Sequence, residues 1–456
     1  MNKNNRYTLP LPLVGKLYQQ VIKAVKLEKI EVEKEKDIIL YIGKIYNHMI
    51  DAIKSHARTE RKRYKIALLY DSKQKLDQYT MAALDRVDFV LACDTDSPDE
   101  LQKTLMPYTH RLYVVTCRTE GHIPLLSKII PDIPYVLSPT AESLIWSSEK
   151  LEMRRRLYNY NKKLTPAFAI INNQKKESIK KIEENIKYPL IVKPSGLAES
   201  MFVTICYHRD ELESTLKTIL KTMEQKYKDS NFLHDPQILV EHFMEGDQYS
   251  IDAYVDSVGK IFFCPMVYIK TGKSIGFDDF FGYIQMTPAQ LNTNSQTEAQ
   301  QSATETIYAL GLRNTSVHIE LFRTEDGWKI IEAGARVGGF RHMLYEFSFG
   351  MNHTVNDILN KAGKKPVIPK KQLGHSVAMK FYAKKEGKLV KINGIKKVQD
   401  LQSFKRIYIN KKIGDNCKFA NHGGTSVFNV IMFNKERSNL LADIRRIEQM
   451  IEIETE

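Results

Sequence analysis

The chain has 456 residues, of which 43% are hydrophobic and 27% are charged, and a formal net charge of +14. This length is sufficient for two or three domains, each with its own core. No run of about 18 uncharged apolar residues occurs and the N-terminus does not have the pattern of a signal peptide, so we expect neither a membrane span nor secretion. The five cysteines are widely spaced and form no CxxC pair, which indicates a reducing compartment and a cytoplasmic protein.

The positive charge is concentrated in residues 361–418, which contain 17 Lys or Arg and 3 Asp or Glu. A basic surface of this kind can attract nucleic acid, an anionic membrane or an acidic substrate. No aromatic-interleaved binding motif or repeated basic helix accompanies it. We therefore interpret the segment as a solvated lysine-rich face, and we expect neither nucleic acid nor a membrane as a partner.

The first part of the chain predicts an extension followed by a parallel sheet. Residues 1–37 are polar and rich in Lys and Glu, and are interpreted as an N-terminal extension. From residue 38, short apolar strands alternate with helical segments, which is typical of a parallel sheet covered by helices. The predicted strands are 38–43, 65–70, 88–92 and 111–116. The crossovers contain neither GxGxxG nor GxxxxGK[ST], so neither a dinucleotide site nor a P-loop is indicated.

The pattern changes near residue 147. One helix is predicted over 147–165, before Pro166, and residues 270–290, rich in Gly, Asp and Phe, are predicted to form an ordered loop. The other helices are predicted at 210–226, 296–311 and 437–449. Further strands are predicted at 168–171, 190–192 and 237–241, with two strands over 249–269 and a hairpin over 315–334.

The hairpin carries the strongest local signal for chemistry. With a three-residue loop at Glu325–Gly327, Glu320 and Glu332 face each other with their Cβ atoms roughly 5 Å apart. Two facing carboxylates repel each other unless a cation lies between them, and Mg²⁺ takes oxygen ligands of this type. The hairpin therefore predicts a divalent-metal site, unless a one-residue register shift separates the two side chains. His318 shares the face of Glu320, and we interpret it as a hydrogen-bonding residue rather than a ligand.

Two other segments carry groups that could bind a nucleotide, although each segment alone is weak evidence for a nucleotide site. Lys193 ends an apolar strand and precedes small residues whose backbone N–H groups could cradle phosphate. The strand 237–241 runs into a polar turn. A lysine at a strand end is usually only solvated, and a buried strand with a polar exit is usually structural.

Five motifs nevertheless follow one another in a fixed order. They are Glu-Lys150-Leu-Glu-Met-Arg, Ile-Val-Lys193-Pro, Val-Glu241-His-Phe-Met-Glu-Gly, His-Ile-Glu320 and Ile-Ile-Glu332-Ala-Gly-Ala-Arg336-Val-Gly-Gly. This order resembles the ATP-grasp superfamily, and within it the carboxylate–amine ligases of the L-amino-acid (dipeptide) ligase type.

The resemblance covers about 38–456 and implies a mixed α/β fold with ATP-grasp architecture. It divides the chain into a pre-ATP-grasp parallel-sheet domain (38–146), a lid region (147–245), an antiparallel-sheet catalytic region (246–365) and a C-terminal subdomain (366–456).

The resemblance also assigns roles to individual residues. Arg336 would hold the substrate carboxylate or the acyl-phosphate oxygens, and Glu320 and Glu332 would ligate Mg²⁺, or Mn²⁺ in its place. The residues expected to bind ATP are Lys150, Lys193, Ser200, Glu241, His242, Phe243, Met244 and Gln248. The residues expected to recognise substrate are Phe340, Arg341 and His342.

Three features depart from the family pattern. Gly334 stands where the family usually has a metal-binding Asn, and Gln248 stands where an acid usually binds the ribose. The lid loop is also poorer in Gly than usual. One metal contact is therefore expected to be missing or supplied by water.

The function implied by the resemblance is ATP-dependent formation of an amide or peptide bond. The reaction would pass through an acyl phosphate, release ADP and phosphate, and use small-molecule carboxylate and amine substrates, with an amino acid as one of them. Related ligases are often homodimers. Two alternatives stay open: an ATP-grasp enzyme for another carboxylate, of bicarbonate, purine or siderophore type, and a weakly active nucleotide-binding module whose basic C-terminal region docks a polyanion.

Overall fold

The computed structural model describes residues 36–194, 203–230 and 237–456, and for 223–230 the backbone alone. The predicted ATP ligand Ser200 and all but the last two residues of the predicted N-terminal extension lie outside the described residues. The described part has the predicted mixed α/β fold, with one parallel and three antiparallel sheets. None of the helices in these ranges has the length and apolar character needed to cross a bilayer.

The N-terminal unit is a four-stranded parallel sheet of order β3-β2-β1-β4, as predicted. Its strands are β1 (Ile38–Ile42), β2 (Lys65–Asp71), β3 (Phe89–Cys93) and β4 (Leu112–Cys117), and its helices are α1 (Asn47–Thr59), α2 (Gln78–Met81), α3 (Pro98–Leu105) and α4 (Ile123–Ile129). All five residues of β1 are buried, because alternate side chains enter two separate apolar clusters on opposite faces of the sheet. The carboxyl ends of these strands face the rest of the molecule through Arg118 and Glu120, which follow β4.

The prediction of a single helix over 147–165 is wrong. Two helices occupy this region, α5 (Ala141–Ser148) and α6 (Lys150–Tyr160), and Glu149 between them has an extended backbone with φ −92° and ψ 107°. The helical pattern of side chains continues through Glu149, so the sequence gives no signal for one extended residue. The break makes Lys150 the first residue of α6.

The second sheet has four antiparallel strands in the order β5-β8-β6-β7. Its elements are β5 (Phe168–Ile171), α7 (Lys176–Asn185), β6 (Leu190–Pro194), β7 (Thr204–Cys206), α8 (Arg209–Ser230) and β8 (Ile238–His242). The two helices cover one face of the sheet through Ile179, Ile182, Leu212 and Leu216, which form an apolar cluster with the strands. Because β6 and β8 are antiparallel, the carboxyl end of β6 lies next to the amino end of β8.

The third sheet has nine strands, with the order β14-β13-β9-β11-β12-β15-β19-β17 and with β10 paired to β9. Its strands are β9 (Asp247–Val255), β10 (Ile261–Phe263), β11 (Val267–Thr271), β12 (Gly282–Thr287), β13 (Thr315–Thr324), β14 (Gly327–Gly334), β15 (His375–Phe381), β17 (Phe404–Ile409) and β19 (Phe428–Asn434). A small sheet contains β16 (Gly387–Asn393), β18 (Asn416–Cys417) and β20 (Glu452–Thr455). The remaining helices are α9 (Thr293–Ala309), α10 (Arg341–Phe349), α11 (His353–Lys361), α12 (Ile395–Gln399) and α13 (Arg437–Met450).

Two features of this sheet differ from the sequence prediction. The predicted loop 270–290 contains β12, which lies between β11 and β15. Because neighbours cover both of its faces, β12 is almost continuously buried and lacks the alternation that marks a half-exposed strand. In addition, β15, β17 and β19 come from the predicted C-terminal subdomain 366–456, yet backbone hydrogen bonds join them to the catalytic region in one continuous sheet.

In the hairpin of β13 and β14, Glu320 faces Glu332 as predicted, but the loop length and the register differ from the prediction. Thr324 pairs with Gly327, so the loop has two residues and not three. The register then shifts by one residue between the Leu321–Ile330 pair and the next pair, which makes Ile331 an additional residue on β14. This β-bulge restores the facing of Glu320 and Glu332, and that part of the prediction is confirmed.

Candidate active site

A cleft of about 900 Å³ lies between the four-stranded antiparallel sheet and the nine-stranded sheet. The predicted ATP and metal residues that line it are Lys150, Lys193, Glu241, His242, Phe243, Met244, Gln248, Glu320 and Glu332. Phe280, Phe322 and Ile331, which the sequence analysis did not single out, add apolar surface. An apolar cleft with a few convergent polar groups is typical of a site for a small organic ligand such as a nucleotide.

Glu241 forms the buried ionic centre of the cleft wall. Its side chain is 1% exposed, and its Oε2 lies 2.5 Å from Nζ of Lys193. Arg154 is fully buried and donates from Nε to Glu241 and from Nη2 to the carbonyl of Ile331, at 2.8 Å for the latter. Burial alone would raise the pKa of the Glu241 carboxyl, but Arg154 and Lys193 outweigh it and lower the pKa to about 2. Glu241 is therefore an ionised counterion for two cations.

Arg154 was missed by the sequence analysis, although a signal was present. It lies four residues after Lys150, so both side chains share one face of α6. Nη2 of Arg154 donates to the carbonyl of Ile331, the additional residue of the β-bulge on the nine-stranded sheet. The bulge thus both aligns the two facing glutamates and supplies a hydrogen-bond acceptor that ties the two sheets together.

The pair Glu320 and Glu332 is suited to a divalent cation. Gln248 donates to Oε2 of Glu320 at 3.1 Å, and Nε2 of His318 lies 3.3 Å from Oε1. Burial opposes ionisation, but His318 lowers the pKa of Glu320 below its ordinary value. In the described ranges, no three His, Cys, Asp or Glu side chains form a metal cluster by themselves. Two carboxylates with phosphate oxygens and water as further ligands is an arrangement that Mg²⁺ accepts, so the residues present fit this ion.

Arg336, the predicted catalytic residue, lies two residues after the end of β14, is not among the residues that line the cleft, and is bound to a residue of the parallel-sheet unit. Its Nε donates to Oε2 of Glu120 at 2.7 Å, and its Nη1 donates to the carbonyl of Val337 at 3.1 Å. Arg118 donates to the same carbonyl, also at 3.1 Å. Two guanidinium groups therefore converge on the carbonyl of Val337. The sequence analysis missed Glu120 and Arg118, because nothing local connects them to a motif more than 200 residues away.

Glu120 also accounts for the unusual Gly334. A Cβ atom at position 334 would lie 2.4 Å from Oε2 of Glu120. The Glu120 carboxylate therefore occupies the space that an Asn side chain at position 334 would need. Glycine at this position and the ion pair of Arg336 with Glu120 are two parts of the same local arrangement.

The family comparison agrees with this geometry. Residues 186–343, which contain the glutamate hairpin and both strands of the cleft wall, match a family model described as an ATP-grasp domain. The chain contains an ATP-grasp domain. Solved structures with a similar fold match residues beyond 186–343 and cover most of the chain.

Similar curated proteins are D-alanine–D-alanine ligases. The ligase of Pelagibacter ubique (strain HTCC1062) is 31% identical over 121 residues, which are 26% of this chain and 34% of that protein. The ligase of Borreliella burgdorferi (strain ATCC 35210) is 27% identical over 204 residues, 42% of this chain and 53% of that protein. The matched region thus spans between a third and about half of the length of these ligases.

Similar solved structures share the fold of almost the whole chain. L-amino acid ligase from Bacillus licheniformis has a TM-score of 0.76 at 18% identity, and the match covers 93% of this chain and all of that one. Phosphoribosylglycinamide synthetase from Anaerococcus prevotii has a TM-score of 0.64 at 18% identity, covering 92% of this chain and all of that one. At these identities the likeness establishes the fold.

On the same face of the nine-stranded sheet as Glu320, Asp252 is paired with His318 and connects several elements. It is fully buried and lies 3.2 Å from Nδ1 of His318, and it accepts hydrogen bonds from Gly338 N at 2.9 Å, Arg341 Nε at 3.1 Å and the Tyr345 hydroxyl at 3.0 Å. Burial opposes ionisation, yet His318 and Arg341 hold the pKa of Asp252 far below its ordinary value. In turn, Asp252 raises the pKa of His318 against the effect of burial. The carboxylates of Asp252 and Glu320 on either side of the ring therefore favour the protonated form of His318.

The three predicted substrate residues of the ATP-grasp domain have different environments. Arg341 is 1% exposed and also donates to Gln285 at 2.7 Å and to Ser250 at 2.6 Å, so its donors are used within the protein and hold the turn after Arg336 in place. Phe340 immediately precedes α10 with a left-handed backbone, φ +58°, and Lys380 Nζ lies 5.7 Å from its ring centroid. His342 lines a second cleft and not the one described above.

Proposed function

We propose that this chain is an ATP-dependent carboxylate–amine ligase that uses an amino acid as one substrate. The observation that carries the proposal is the facing pair Glu320 and Glu332 in a cleft that also contains Lys150 and Lys193. Phosphate groups with a divalent cation are the chemistry that two lysines and two facing carboxylates hold together. The D-alanine–D-alanine ligases that the chain resembles join two amino acids, which supports an amino-acid substrate.

In the proposed reaction, the chain positions ATP and a substrate carboxylate so that the γ-phosphoryl group moves to the carboxylate. The carboxylate gains a P–O bond while ATP loses its terminal phosphoryl group as ADP is formed. The amine nitrogen then attacks the acyl carbon, phosphate leaves with the electron pair of the C–O bond, and one amine proton is lost. Positioning and charge stabilisation dominate catalysis of this type.

Each side chain has a role in this scheme. Lys150 and Lys193 hold the phosphates, and the segment His242–Met244 with the apolar walls holds the adenine. Glu320 and Glu332 would hold Mg²⁺, or Mn²⁺ in its place, which when bound neutralises phosphate charge. Arg336, kept in position by Glu120, stabilises the substrate carboxylate and the oxygens of the acyl phosphate.

Lys193 has two partners in this proposal. In the conformation described here Glu241 holds it, and burial together with the neighbouring Arg154 lowers its pKa. When phosphate enters the cleft, Lys193 can approach it while Arg154 continues to neutralise Glu241. In this proposal Lys193 can therefore move from Glu241 to the phosphates while Glu241 keeps Arg154 as its counter-charge.

The test is a phosphate-release screen with pairs of L- and D-amino acids, with single amino acids plus bicarbonate, and with other small carboxylates. We expect Mg²⁺-dependent phosphate release that requires both a carboxylate and an amine. Glu332→Gln should lower turnover roughly 100-fold or more, comparable to the loss of one essential charge-stabilising group. Glu325→Gln, on the exposed hairpin turn, is the matched control and should behave like the unchanged protein.

Three outcomes would contradict the proposal in different ways. Turnover by Glu332→Gln equal to that of Glu325→Gln would refute the metal-binding role of the hairpin. Phosphate release that requires bicarbonate or another single acid, with no dependence on an amino acid, would establish the alternative ATP-grasp activity. Steeply salt-dependent polyanion binding without ATP turnover would establish the nucleotide-binding module.

A further inference from the structure

The loop between β11 and β12, residues 272–281, contributes one side chain to the ATP cleft and another to a separate apolar cluster. Phe280 lines the cleft. The next residue, Phe281, is 5% exposed and packs in a cluster with residues of β15, β16 and β19. Its ring centroid lies 4.1 Å from that of Tyr382, which follows β15. The backbone of this loop therefore determines where the ring of Phe280 stands in the cleft.

Asp279, the residue before Phe280, joins this loop to the C-terminal turn Ala420–His422. Asp279 is 1% exposed, and its Oδ2 accepts a hydrogen bond from the backbone N–H of Asn421 at 3.0 Å. The side chain of Asn421 makes a second bond to the same loop, because its Nδ2 donates to the carbonyl of Asp278 at 3.2 Å. Two hydrogen bonds thus connect segments that are more than 140 residues apart in the chain.

The Asp279 carboxyl group has an environment that destabilises it. Burial is the largest cause that raises its pKa, and the backbone N–H groups of Asn421 and Ala420 oppose this rise. Its Oδ1 is buried and has no hydrogen-bond partner in the described part of the chain. Because a buried polar atom without a partner lowers the stability of a fold, a carboxyl group at this position indicates a requirement beyond packing.

The contacts of the Phe280 ring with its own loop are those of solvated side chains. Lys273 Nζ lies 5.7 Å from the ring centroid of Phe280 and 3.8 Å from Oδ1 of Asp278. The Asp278 side chain is 99% exposed, and exposed ion pairs of this kind fix a geometry only weakly. The buried contacts next to Phe280 are the hydrogen bond of Asp279 and the packing of Phe281, and both are made with the C-terminal part of the chain.

We propose that Asp279 is a positioning residue of the nucleotide site: by binding the turn Ala420–His422 it holds Phe280 against the bound nucleotide. The inference rests on the ATP site of the function proposed above and deepens it, because the C-terminal part of the chain then takes part in nucleotide binding. This turn lies outside residues 186–343, which match the ATP-grasp family model. An aromatic ring beside a nucleotide base contributes stacking, and its contribution depends on where the ring is held.

The experiment is a calorimetric titration of the whole protein with ADP in the presence of Mg²⁺, which measures nucleotide binding without turnover. Asp279→Ala should lower the affinity for ADP roughly 10-fold, within the range that stacking on an aromatic side chain contributes. Asp278→Ala is the matched control, because it removes the same group from the preceding, exposed residue, and it should leave the affinity unchanged.

A double-mutant cycle with Phe280→Ala separates positioning from a general effect on folding. Phe280→Ala alone should also lower the affinity for ADP roughly 10-fold. In that background Asp279→Ala should have little further effect, because both changes remove the same contact with the nucleotide. Effects of the two changes that multiply would show that Asp279 does not act through Phe280, and would overturn the inference.

Asn421→Ala covers the case in which Asp279→Ala does not fold. It removes the side-chain bond to the carbonyl of Asp278 and leaves the backbone bond to Asp279 in place. The affinity for ADP should fall by roughly 3- to 10-fold, the usual contribution of one hydrogen bond. An affinity equal to that of the Asp278→Ala control in Asn421→Ala, and in Asp279→Ala where it folds, would contradict the role of the C-terminal turn.

Turnover separates the inference from the proposed function. A KM for ATP that rises in Asp279→Ala by the same factor as the loss of ADP affinity would support both. Phosphate release with an unchanged KM for ATP in Asp279→Ala and Asn421→Ala would refute the role of Asp279 alone. ADP binding that depends on Asp279, without phosphate release for any substrate pair, would support the positioning role and refute the ligase.

Discussion

The replacement Glu241→Gln tests the buried ionic centre of the cleft wall. Glu241 is 1% exposed and compensates both Arg154 and Lys193, so the amide leaves two buried cations without a counter-charge. The fall of its pKa from 4.5 to about 2 corresponds to about 3 kcal/mol of stability at neutral pH. Removing one partner of a buried ion pair costs about 3–5 kcal/mol, which is the same range.

The pH dependence has a definite sign. A carboxyl group whose pKa is lowered by folding stabilises the protein fully above its unfolded pKa, and this contribution is lost as pH falls toward the folded pKa. The difference between the unchanged protein and Glu241→Gln should therefore be greatest near pH 7 and should shrink by about 1 kcal/mol at pH 3.5.

The assay is urea unfolding at pH 7 and at pH 3.5, combined with hydrogen exchange of the β6 and β8 amides, which reports on this sheet separately from the other domains. Glu245→Gln, an exposed residue of the following turn, is the matched control. A free energy of unfolding within about 0.5 kcal/mol of the control at pH 7, the range of ordinary surface substitutions, would refute the reasoning. A large loss that is equal at both pH values would refute the electrostatic cause.

Two further predictions concern positions next to residues of the proposed active site. Gly334→Asn should displace Glu120 and lower kcat by about 10-fold or more, because Arg336 loses its positioning partner, while Gly339→Ala, which meets no atom within 4 Å, should leave kcat unchanged; equal kcat values in steady-state assays of the two variants would contradict the steric argument. Asp252→Asn should lower the free energy of unfolding by about 3–5 kcal/mol in urea titrations, because the buried Arg341 then loses its carboxylate partner. A loss below about 1 kcal/mol would show that the hydrogen-bonding partners of Asp252 rearrange without cost.

The sequence predicted those features that depend on local pattern. The apolar runs of β1 to β4 were sufficient for the parallel sheet, and the alternation around Glu320 was sufficient for the hairpin. The facing of Glu320 and Glu332 was correct although the loop length was wrong, because a two-residue loop followed by a bulge gives the same pairing at that point as a three-residue loop.

The features that the sequence did not reveal depend on contacts between distant segments. Arg154 and Glu241 are 87 residues apart, and neither has a neighbour in sequence that indicates its partner. Glu120 explains Gly334 only when the parallel sheet is placed against the hairpin. The strand β12 was hidden for a related reason, since neighbours on both sides remove the alternation by which a strand is recognised.

The continuous nine-stranded sheet has a consequence for dividing the chain into fragments. β12 and β15 are hydrogen-bonded from Ile284–Met379 to Thr287–Ser376, across the predicted boundary at residue 365. A fragment that ends there would expose the apolar edge of β12, and open edges of this kind pair with other copies and aggregate. Exchange of modules with a related ligase should therefore keep β15, β17 and β19 with the catalytic region, so that the transferable unit is defined by strand pairing.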